Sequence, residues 1–132
     1  MSLTAEERAA MVQVEIDRAR RMVSEFPIYI ENNLWATLVN RMYYAVFHAA
    51  TALLIKNGIQ AGTHQGVYIM LNRYYVKEGI LSIEEGRLFA RLGTLREKGD
   101  YNCFIDPESE DVLPLLEPTK AFIEHICQIL SL

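Results

Sequence analysis

Hydrophobic positions recur along most of the chain with the spacing of amphipathic helices. In the first segment they form a narrow stripe, at alternating steps of four and three residues, made up of Val12, Ile16, Ala19, Val23 and Phe26. Such a stripe is suited to packing along another helix. Thr4 and Glu7 stand in a capping-box pattern at its start. Pro27 is predicted to end this helix, because proline disfavours the helical conformation of the residue before it.

The second segment is apolar or small around most of a helix. Residues 28–33 are predicted to connect it to the first, with Asn32 or Asn33 as its cap, and Asn57-Gly58 is predicted to end it. The positions predicted to share the core-facing side are Leu34, Leu38, Met42, Phe47, Ala49, Ala52 and Ile55. A helix that is apolar all round is a buried helix. We therefore expect a long second helix at the centre of the molecule.

The third helical segment follows a loop. Thr63 is predicted to cap this helix, and Glu78-Gly79 to end the segment. Gly66 near its start lowers helix stability, which predicts a close approach to another backbone. The residues predicted to point inward are Val67, Met70, Leu71 and Tyr74.

Two more helical segments complete the chain. The fourth helix is predicted to begin at a second capping box, Ser82 to Glu85, and to end at Gly99. The last begins near Pro107, and Pro114 and Pro118 predict a kinked or broken start because each removes a backbone donor. Strand-like alternation is absent from the sequence. The pattern predicts an all-α fold, an up-and-down bundle of four to five helices with a long central second helix, in one domain over residues 1–132.

Composition narrows the classes of protein that fit this pattern. The chain has 132 residues, 51% of them hydrophobic, enough to form a core without disulfides or metal. A net charge of −4 argues against a protein that coats nucleic acid non-specifically. Apolar runs are short and the first residues are polar, so a cytoplasmic protein without membrane contact is expected. Cys103 and Cys127 are expected to be free thiols, and the cysteines and histidines lack metal-ligand spacing, so no cofactor or metal is expected.

Arg41 and His48 are the residues with the clearest chemistry. Their spacing puts both on one side of the second helix, about 10.5 Å apart along its axis. Tyr44 and Ala45 lie between them, and the alanine is predicted to leave a dip wide enough for a phosphate or a neighbouring helix. Histidine can take a proton from a ribose hydroxyl and arginine can bind a phosphate, so the pair fits metal-independent cleavage of RNA. The alternative is a structural role, with Arg41 bonded to loop carbonyls or a carboxylate and His48 satisfied in the interior.

The tyrosines and the other histidines each have two interpretations. Tyrosine rings can stack on unpaired bases or pack in the core, and the candidates are Tyr43, Tyr44, Tyr74, Tyr75 and Tyr101. His64, at a helix start, is interpreted as a capping or solvent residue, with a catalytic part as the alternative. His125 lies beside Glu124, but adjacent helix positions diverge, so the two do not form a ligand set.

The sequence around Arg41 and His48 resembles the signature of the HEPN domain (higher eukaryotes and prokaryotes nucleotide-binding). It has the arginine, six residues and the histidine, with Tyr-Tyr-Ala ahead of Phe-His-Ala-Ala. Further matches lie at Gly62–Val67 and Arg96–Tyr101, so the resemblance covers the chain from Leu34 onward. It implies a helical bundle that binds RNA or nucleotide. It also implies a homodimer that completes the site in ribonuclease members, and a minimal nucleotidyltransferase partner that acts as antitoxin or modifier.

The resemblance also implies roles for individual residues. Arg41 and His48 are the predicted catalytic pair, and the accessory binding residues predicted for the same face are Asn40, Tyr44, Arg96 and Tyr101. Ribonuclease members tend to place a polar residue directly after the arginine and often use a shorter spacing. Here Met42 follows Arg41, and the polar neighbour is the preceding Asn40.

Two hypotheses about function follow. The first is a HEPN-domain protein that binds RNA or nucleotide through the Arg41 and His48 face, as a toxin-type endoribonuclease. The second is a non-catalytic module for nucleotide binding, dimerisation or scaffolding, in which Ala45, Ala49 and Ala52 form a seam between two copies. Binding of a free nucleotide, as in a sensor, gives the same sequence pattern as binding of RNA.

Overall fold

The computed structural model describes residues 2–101 and 106–132, and of residues 100 and 101 only the backbone. All regular structure in these ranges is helical, which confirms the predicted all-α bundle. The elements in chain order are α1 (Ala5–Glu31), α2 (Trp35–Lys56), α3 (His64–Leu71) with a π-helical turn (Asn72–Val76), α4 (Ile83–Tyr101), α5 (Ser109–Val112), a 3-10 turn (Leu113–Leu115) and α6 (Leu116–Leu130).

Helix α2 lies at the centre of the bundle, as predicted. It packs against all five of the other helices, and its inward residues belong to one contiguous hydrophobic core. Ala45, Ala49 and Ala52 are fully buried among these neighbours. Their small side chains let the surrounding helices approach α2 closely. The predicted seam between two copies is therefore wrong for these alanines, because the molecule's own helices already cover them.

Helix α1 is longer than predicted. It continues through Pro27 to Glu31, so the proline lies inside the helix rather than at its end. Phe26 is fully buried on one side of the proline, and Tyr29 and Ile30 pack against the core on the other. This burial stabilises the last turn despite the missing backbone donor.

The connection between α1 and α2 is correspondingly short. Asn33 adopts a left-handed conformation with φ 55°, and the Leu34 N–H donates to the Tyr29 carbonyl at 2.8 Å. Neither Asn32 nor Asn33 caps α2 as predicted, since Leu34 is the capping residue and makes no side-chain cap bond. The tight turn lays the two longest helices side by side as a hairpin.

The capping boxes at Thr4 and Ser82 and the Thr63 cap are confirmed, with cap hydrogen bonds of 2.8–3.0 Å. The close approach predicted for Gly66 is of a different kind. A Cβ on Gly66 would lie 3.1 Å from the Thr63 hydroxyl oxygen, which accepts the Gly66 N–H. Space for the cap, rather than close contact with another backbone, favours glycine here.

The third helical segment turns a different residue inward from the one predicted. Val67 and Leu71 are buried as expected and Met70 is half-buried, but Tyr74 is exposed and Tyr75 is buried in its place. The π-helical turn adds a residue to this part of the helix and so shifts the inward face by one position. The Tyr75 hydroxyl then donates to the Leu53 carbonyl at 3.2 Å.

The ends of the other segments agree in part with the predictions. Gly58 and Gly79 adopt φ of 70° and 77° where helices were predicted to stop. Helix α4 passes Gly99 and continues to Tyr101, which corrects the predicted end. The predicted broken start of the last segment is confirmed, since Pro114 lies in the 3-10 turn and Pro118 in the first turn of α6.

Helix α2 is also long and apolar enough, by length and composition alone, to cross a membrane. The expectation that apolar runs are too short was therefore wrong for this segment. Most of that stretch is buried inside the bundle, as in the core helix of a soluble domain. Of the two cysteines, Cys127 is a free thiol buried in the core, where desolvation raises its pKa. Cys103 lies outside the described residues.

Candidate functional site

Arg41, Tyr44 and His48 lie along the partly exposed side of α2. The residues on the opposite side of this helix, among them Met42 and Val46, are fully buried. The predicted dip at Ala45 is wrong, because this alanine faces the core and the Tyr44 ring occupies the surface between the two polar residues. We call the surface formed by Arg41, Tyr44 and His48 the α2 face.

His48 is held by a carboxylate from the neighbouring helix. Its Nδ1 lies 2.5 Å from Oε2 of Glu15 on α1, and the two side chains are only 17% and 16% exposed. Because Nδ1 is engaged, the ring is oriented and Nε2 is the nitrogen left for chemistry. Sequence reasoning missed Glu15. The available signal was a carboxylate next to Ile16 of the buried stripe, at the edge of the surface that packs on α2.

Arg41 is fixed by the residue before it. Its Nε and Nη2 donate to Oδ1 of Asn40 at 3.1 and 2.6 Å, and its Cζ lies 5.6 Å from the centre of the Tyr44 ring. The expected partner was a loop carbonyl or a carboxylate, so this arrangement differs from the structural alternative. Met42 points into the core, so Asn40 is the polar neighbour that holds the guanidinium, whose other N–H groups face away from this bond.

His64 joins the α2 face from the start of α3. Its ring stacks on Phe47 at 4.3 Å between centroids with 21° between planes, and its Nδ1 lies 2.9 Å from the Tyr43 hydroxyl. Burial, Arg96 and His48 together lower the pKa of His64. Thr63 rather than His64 caps the helix, so the capping interpretation of His64 was wrong. No local sequence pattern predicts that the first residue of α3 packs against α2.

Arg96 reaches the same region from α4. Its Cζ lies 4.7 Å from the centre of the Tyr43 ring and 5.7 Å from that of Tyr44. Tyr43 is nearly fully buried, as its core interpretation predicted, and burial raises its pKa. The structure thus brings together Asn40, Tyr44 and Arg96 of the predicted accessory residues. The side chain of Tyr101 lies outside the described residues.

A cleft of about 250 Å³ opens between α3 and α4 beside this cluster, and its lining includes His64, Tyr68, Phe89, Gly93 and Arg96. A second groove borders the other end of the α2 face, where Tyr29, Thr37 and Asn40 surround Arg41. In the described part of the chain, groups of three or more carboxylate, imidazole or thiolate residues that could hold a metal ion are absent. His125 makes a separate pair with Glu85 at 2.8 Å.

The guanidinium groups of Arg41 and Arg96 and the imidazole of His64 therefore lie 5.6–5.7 Å from the centre of the half-buried Tyr44 ring, and His48 follows one turn further along α2. Groups of this kind bind phosphate oxygens, and the aromatic rings beside them can pack on bases. The molecule is thus an all-α helical bundle that presents basic and aromatic side chains on one face. The sequence model of the HEPN domain matches residues 12–130, and the chain belongs to this family.

Relatives of this chain occur in bacteria and archaea. A "UPF0332 protein" of Thermotoga maritima is 29% identical over 125 residues, which cover 95% of both chains. "Putative toxin MJ0605" of Methanocaldococcus jannaschii is 33% identical over 120 residues, 91% of this chain and 89% of the relative. "Putative toxin MJ0142" of the same organism is 24% identical over 108 residues, 82% of this chain and 74% of the relative.

Proposed function

We propose that this chain is a toxin-type, metal-independent endoribonuclease that binds RNA on the α2 face and acts as a homodimer. The observation that carries the proposal is the Glu15–His48 pair, which orients a titratable base on the same face as the fixed guanidinium of Arg41. Membership of the HEPN family and the two relatives named as toxins support the same class of function.

His48 is the proposed general base. Its Nδ1–H donates to Glu15, so Nε2 can accept the proton of a ribose 2′-hydroxyl. The 2′ oxygen then forms a bond to the adjacent phosphorus as the bond from phosphorus to the 5′ oxygen breaks. The leaving 5′ oxygen takes up a proton from the protonated imidazole, which returns to its neutral form. The products are a 2′,3′-cyclic phosphate and a 5′-hydroxyl end.

Arg41 is the proposed phosphate-binding group. Two of its N–H groups are used by Asn40, which presents the rest of the guanidinium to a ligand. Arg41 and His48 are separated by about 10.5 Å along the axis of α2. A two-fold dimer that brings two α2 faces together would let the arginine of one copy act with the histidine of the other.

The family also guides the proposal about partners and location. We propose one functional domain over residues 1–132, in the cytoplasm, controlled by a minimal nucleotidyltransferase that acts as antitoxin or modifier. The names of the two archaeal relatives are consistent with such a pairing. The chemistry above uses only side chains of this chain, so the proposal includes neither a cofactor nor a metal.

The proposal is tested by incubating a labelled tRNA mixture with the protein in EDTA. The wild type is compared with Arg41→Ala and His48→Ala, after circular dichroism has shown that each is folded. His125→Ala removes another histidine paired to a glutamate, and Arg73→Ala removes an exposed arginine, so these two are matched controls. We expect fragments ending in a cyclic phosphate from the wild type and both controls. Loss of His48 should lower the rate by about 10²–10⁴-fold.

Two outcomes would overturn this function. Cleavage undiminished in His48→Ala would remove this residue from the mechanism. An absence of fragments from every protein, together with binding of RNA or nucleotide, would favour the non-catalytic module instead. The 17% exposure of His48 is compatible with that alternative, since a structural ion pair would also be largely covered.

A further inference from the structure

Two imidazoles of this molecule lie close to one phenylalanine ring. The Phe47 ring is 4.3 Å from the His64 ring and 5.9 Å from the His48 ring, measured between centroids. His48 comes from the middle of α2 and His64 from the start of α3, so packing alone brings them together. The proposed mechanism uses only the first of these two histidines.

Nδ1 of His48 donates a hydrogen bond, whereas Nδ1 of His64 accepts one. His48 faces a carboxylate, which accepts only, so Nδ1 must carry the proton and Nε2 is the acceptor. His64 faces the hydroxyl of Tyr43, which is 2.9 Å from Nδ1. A phenol is a good donor and a weak acceptor, so Tyr43 donates to Nδ1 and the proton of the neutral ring lies on Nε2.

The surroundings keep His64 neutral. Its ring lies nearly parallel to the rings of Phe47 and Tyr43, with centroids 4.3 and 5.8 Å away, and the guanidinium of Arg96 lies 4.7 Å from the Tyr43 ring. Partial desolvation of the ring, and after it the nearby Arg96 and His48, lower the pKa of His64, so a second positive charge is unfavourable there. A neutral imidazole with a fixed tautomer is a hydrogen-bond donor that keeps its proton.

We propose that His64 binds the phosphate of the RNA, through a hydrogen bond from Nε2–H to a non-bridging oxygen, while His48 acts as the base. This inference rests on the function proposed above and adds a second histidine to the same site. His64 transfers no proton in the reaction. Its bond strengthens as negative charge builds up on the phosphate oxygens, which is the contribution of a preorganised donor. Tyr43 is a positioning residue that acts through His64.

The tautomer can be measured without any catalysis. Long-range proton–nitrogen correlation spectra of the ¹⁵N-labelled protein should show Nε2–H for His64 and Nδ1–H for His48. Tyr43→Phe keeps the ring and removes only the hydroxyl, so His64 should become a mixture of both tautomers. A short 2′-O-methyl RNA, which cannot be cleaved, is then titrated in. The His64 Nε2–H resonance should shift on binding.

Activity provides the second readout. His64→Ala should lower the cleavage rate on the order of 10²-fold, as the loss of one such donor does elsewhere. His64→Gln retains an N–H near the position of Nε2 and should recover part of that loss. Tyr43→Phe should lower the rate less than His64→Ala.

The two proposals fail in different ways. An Nδ1–H tautomer for His64, or RNA binding that shifts His48 and Arg41 but leaves His64 unchanged, would overturn the role of His64 alone. A shift of the His64 resonance by the uncleavable RNA, in a protein that cleaves no RNA, would overturn the ribonuclease function and support His64 as a phosphate-binding residue.

Discussion

At the scale of single residues, a neighbour decides what each candidate side chain can do. Glu15 engages one nitrogen of His48, and Asn40 engages two donors of Arg41. In both cases the bond is made by a side chain that is itself partly buried, so the geometry is held in place. The chemistry proposed for the α2 face therefore requires Glu15 and Asn40 as well as His48 and Arg41, which they orient.

Replacing Glu15 tests this dependence. Glu15→Ala should lower cleavage by up to the 10²–10⁴-fold that a general base contributes, because the His48 ring loses its fixed tautomer and orientation. Glu15→Gln keeps an acceptor oxygen and should have a smaller effect. Rates are measured at saturating RNA, so that weaker RNA binding does not affect the measured cleavage rate.

Asp17→Ala is the matched control for Glu15. Asp17 is a carboxylate on the same helix that accepts a hydrogen bond from Gln13 rather than from a histidine. Its removal should leave the rate unchanged. A wild-type rate in Glu15→Ala would show that the carboxylate does not position His48.

At the scale of elements, the α1–α2 hairpin builds the site. The short turn at Asn33 brings the middle of α1 against α2, and Glu15 reaches His48 only for this reason. The last turn of α1 includes Tyr29, which lines the groove beside Arg41. The continuation of α1 through Pro27 thus shapes one border of the α2 face.

Pro27 should lower the stability of this helix. It lies in the helix interior, where it removes the N–H that would bond the Val23 carbonyl, and its ring is exposed. Pro27→Ala should therefore raise the free energy of unfolding by about 1–2 kcal/mol, after allowance for the greater freedom of the unfolded chain. The change in the free energy of unfolding is measured by urea denaturation monitored by circular dichroism.

Pro118→Ala is the comparison. Pro118 lies in the first turn of α6, where a backbone N–H has no partner within the helix. This substitution should change stability by less than about 0.5 kcal/mol. Equal changes in the free energy of unfolding for the two substitutions would show that the position of the proline in its helix does not determine its effect on stability.

At the scale of the whole molecule, the α2 face continues into an apolar groove. Beyond His48 the groove is lined by Thr51 and Ile55 of α2 and by Met11 of α1, which is 42% exposed. The Thr51 hydroxyl is buried without a hydrogen-bond partner in the described part of the chain. We expect a second copy to pack on this apolar surface, next to His48, if the proposed site is completed by a dimer.

Charge at this surface should separate the proposed dimer. If the wild type is a dimer as proposed, Met11→Glu should shift it towards monomer at micromolar concentration in sedimentation velocity, because the substitution places a desolvated carboxylate at the interface. The helical circular dichroism should be unchanged, since Met11 is exposed. Cleavage of tRNA should fall together with the fraction of dimer.

Ile83→Glu serves as the control for Met11. Ile83 is 60% exposed at the start of α4 and is not part of the groove, so its substitution should leave the dimer and the cleavage rate unchanged. A wild-type protein that sediments as a monomer at micromolar concentration would contradict the composite site.

The sequence by itself determined the features that depend on near neighbours. The caps at Thr4, Thr63 and Ser82 form between residues three positions apart, so they can be predicted without knowing the fold. The apolar or small residues around most of α2 predicted its central place. The spacing of Arg41 and His48 on one helix put both on one face.

Only the tertiary structure decided the contacts between distant residues. Glu15 and His48 are 33 positions apart and Tyr43 and His64 are 21 apart, so their pairing depends on how the helices pack. Packing also overrode two local predictions, the end of α1 at Pro27 and the inward turn of Tyr74. Local propensity is worth about 1–3 kcal/mol at such positions, and burial of large side chains such as Phe26 and Tyr75 is of the same size or larger.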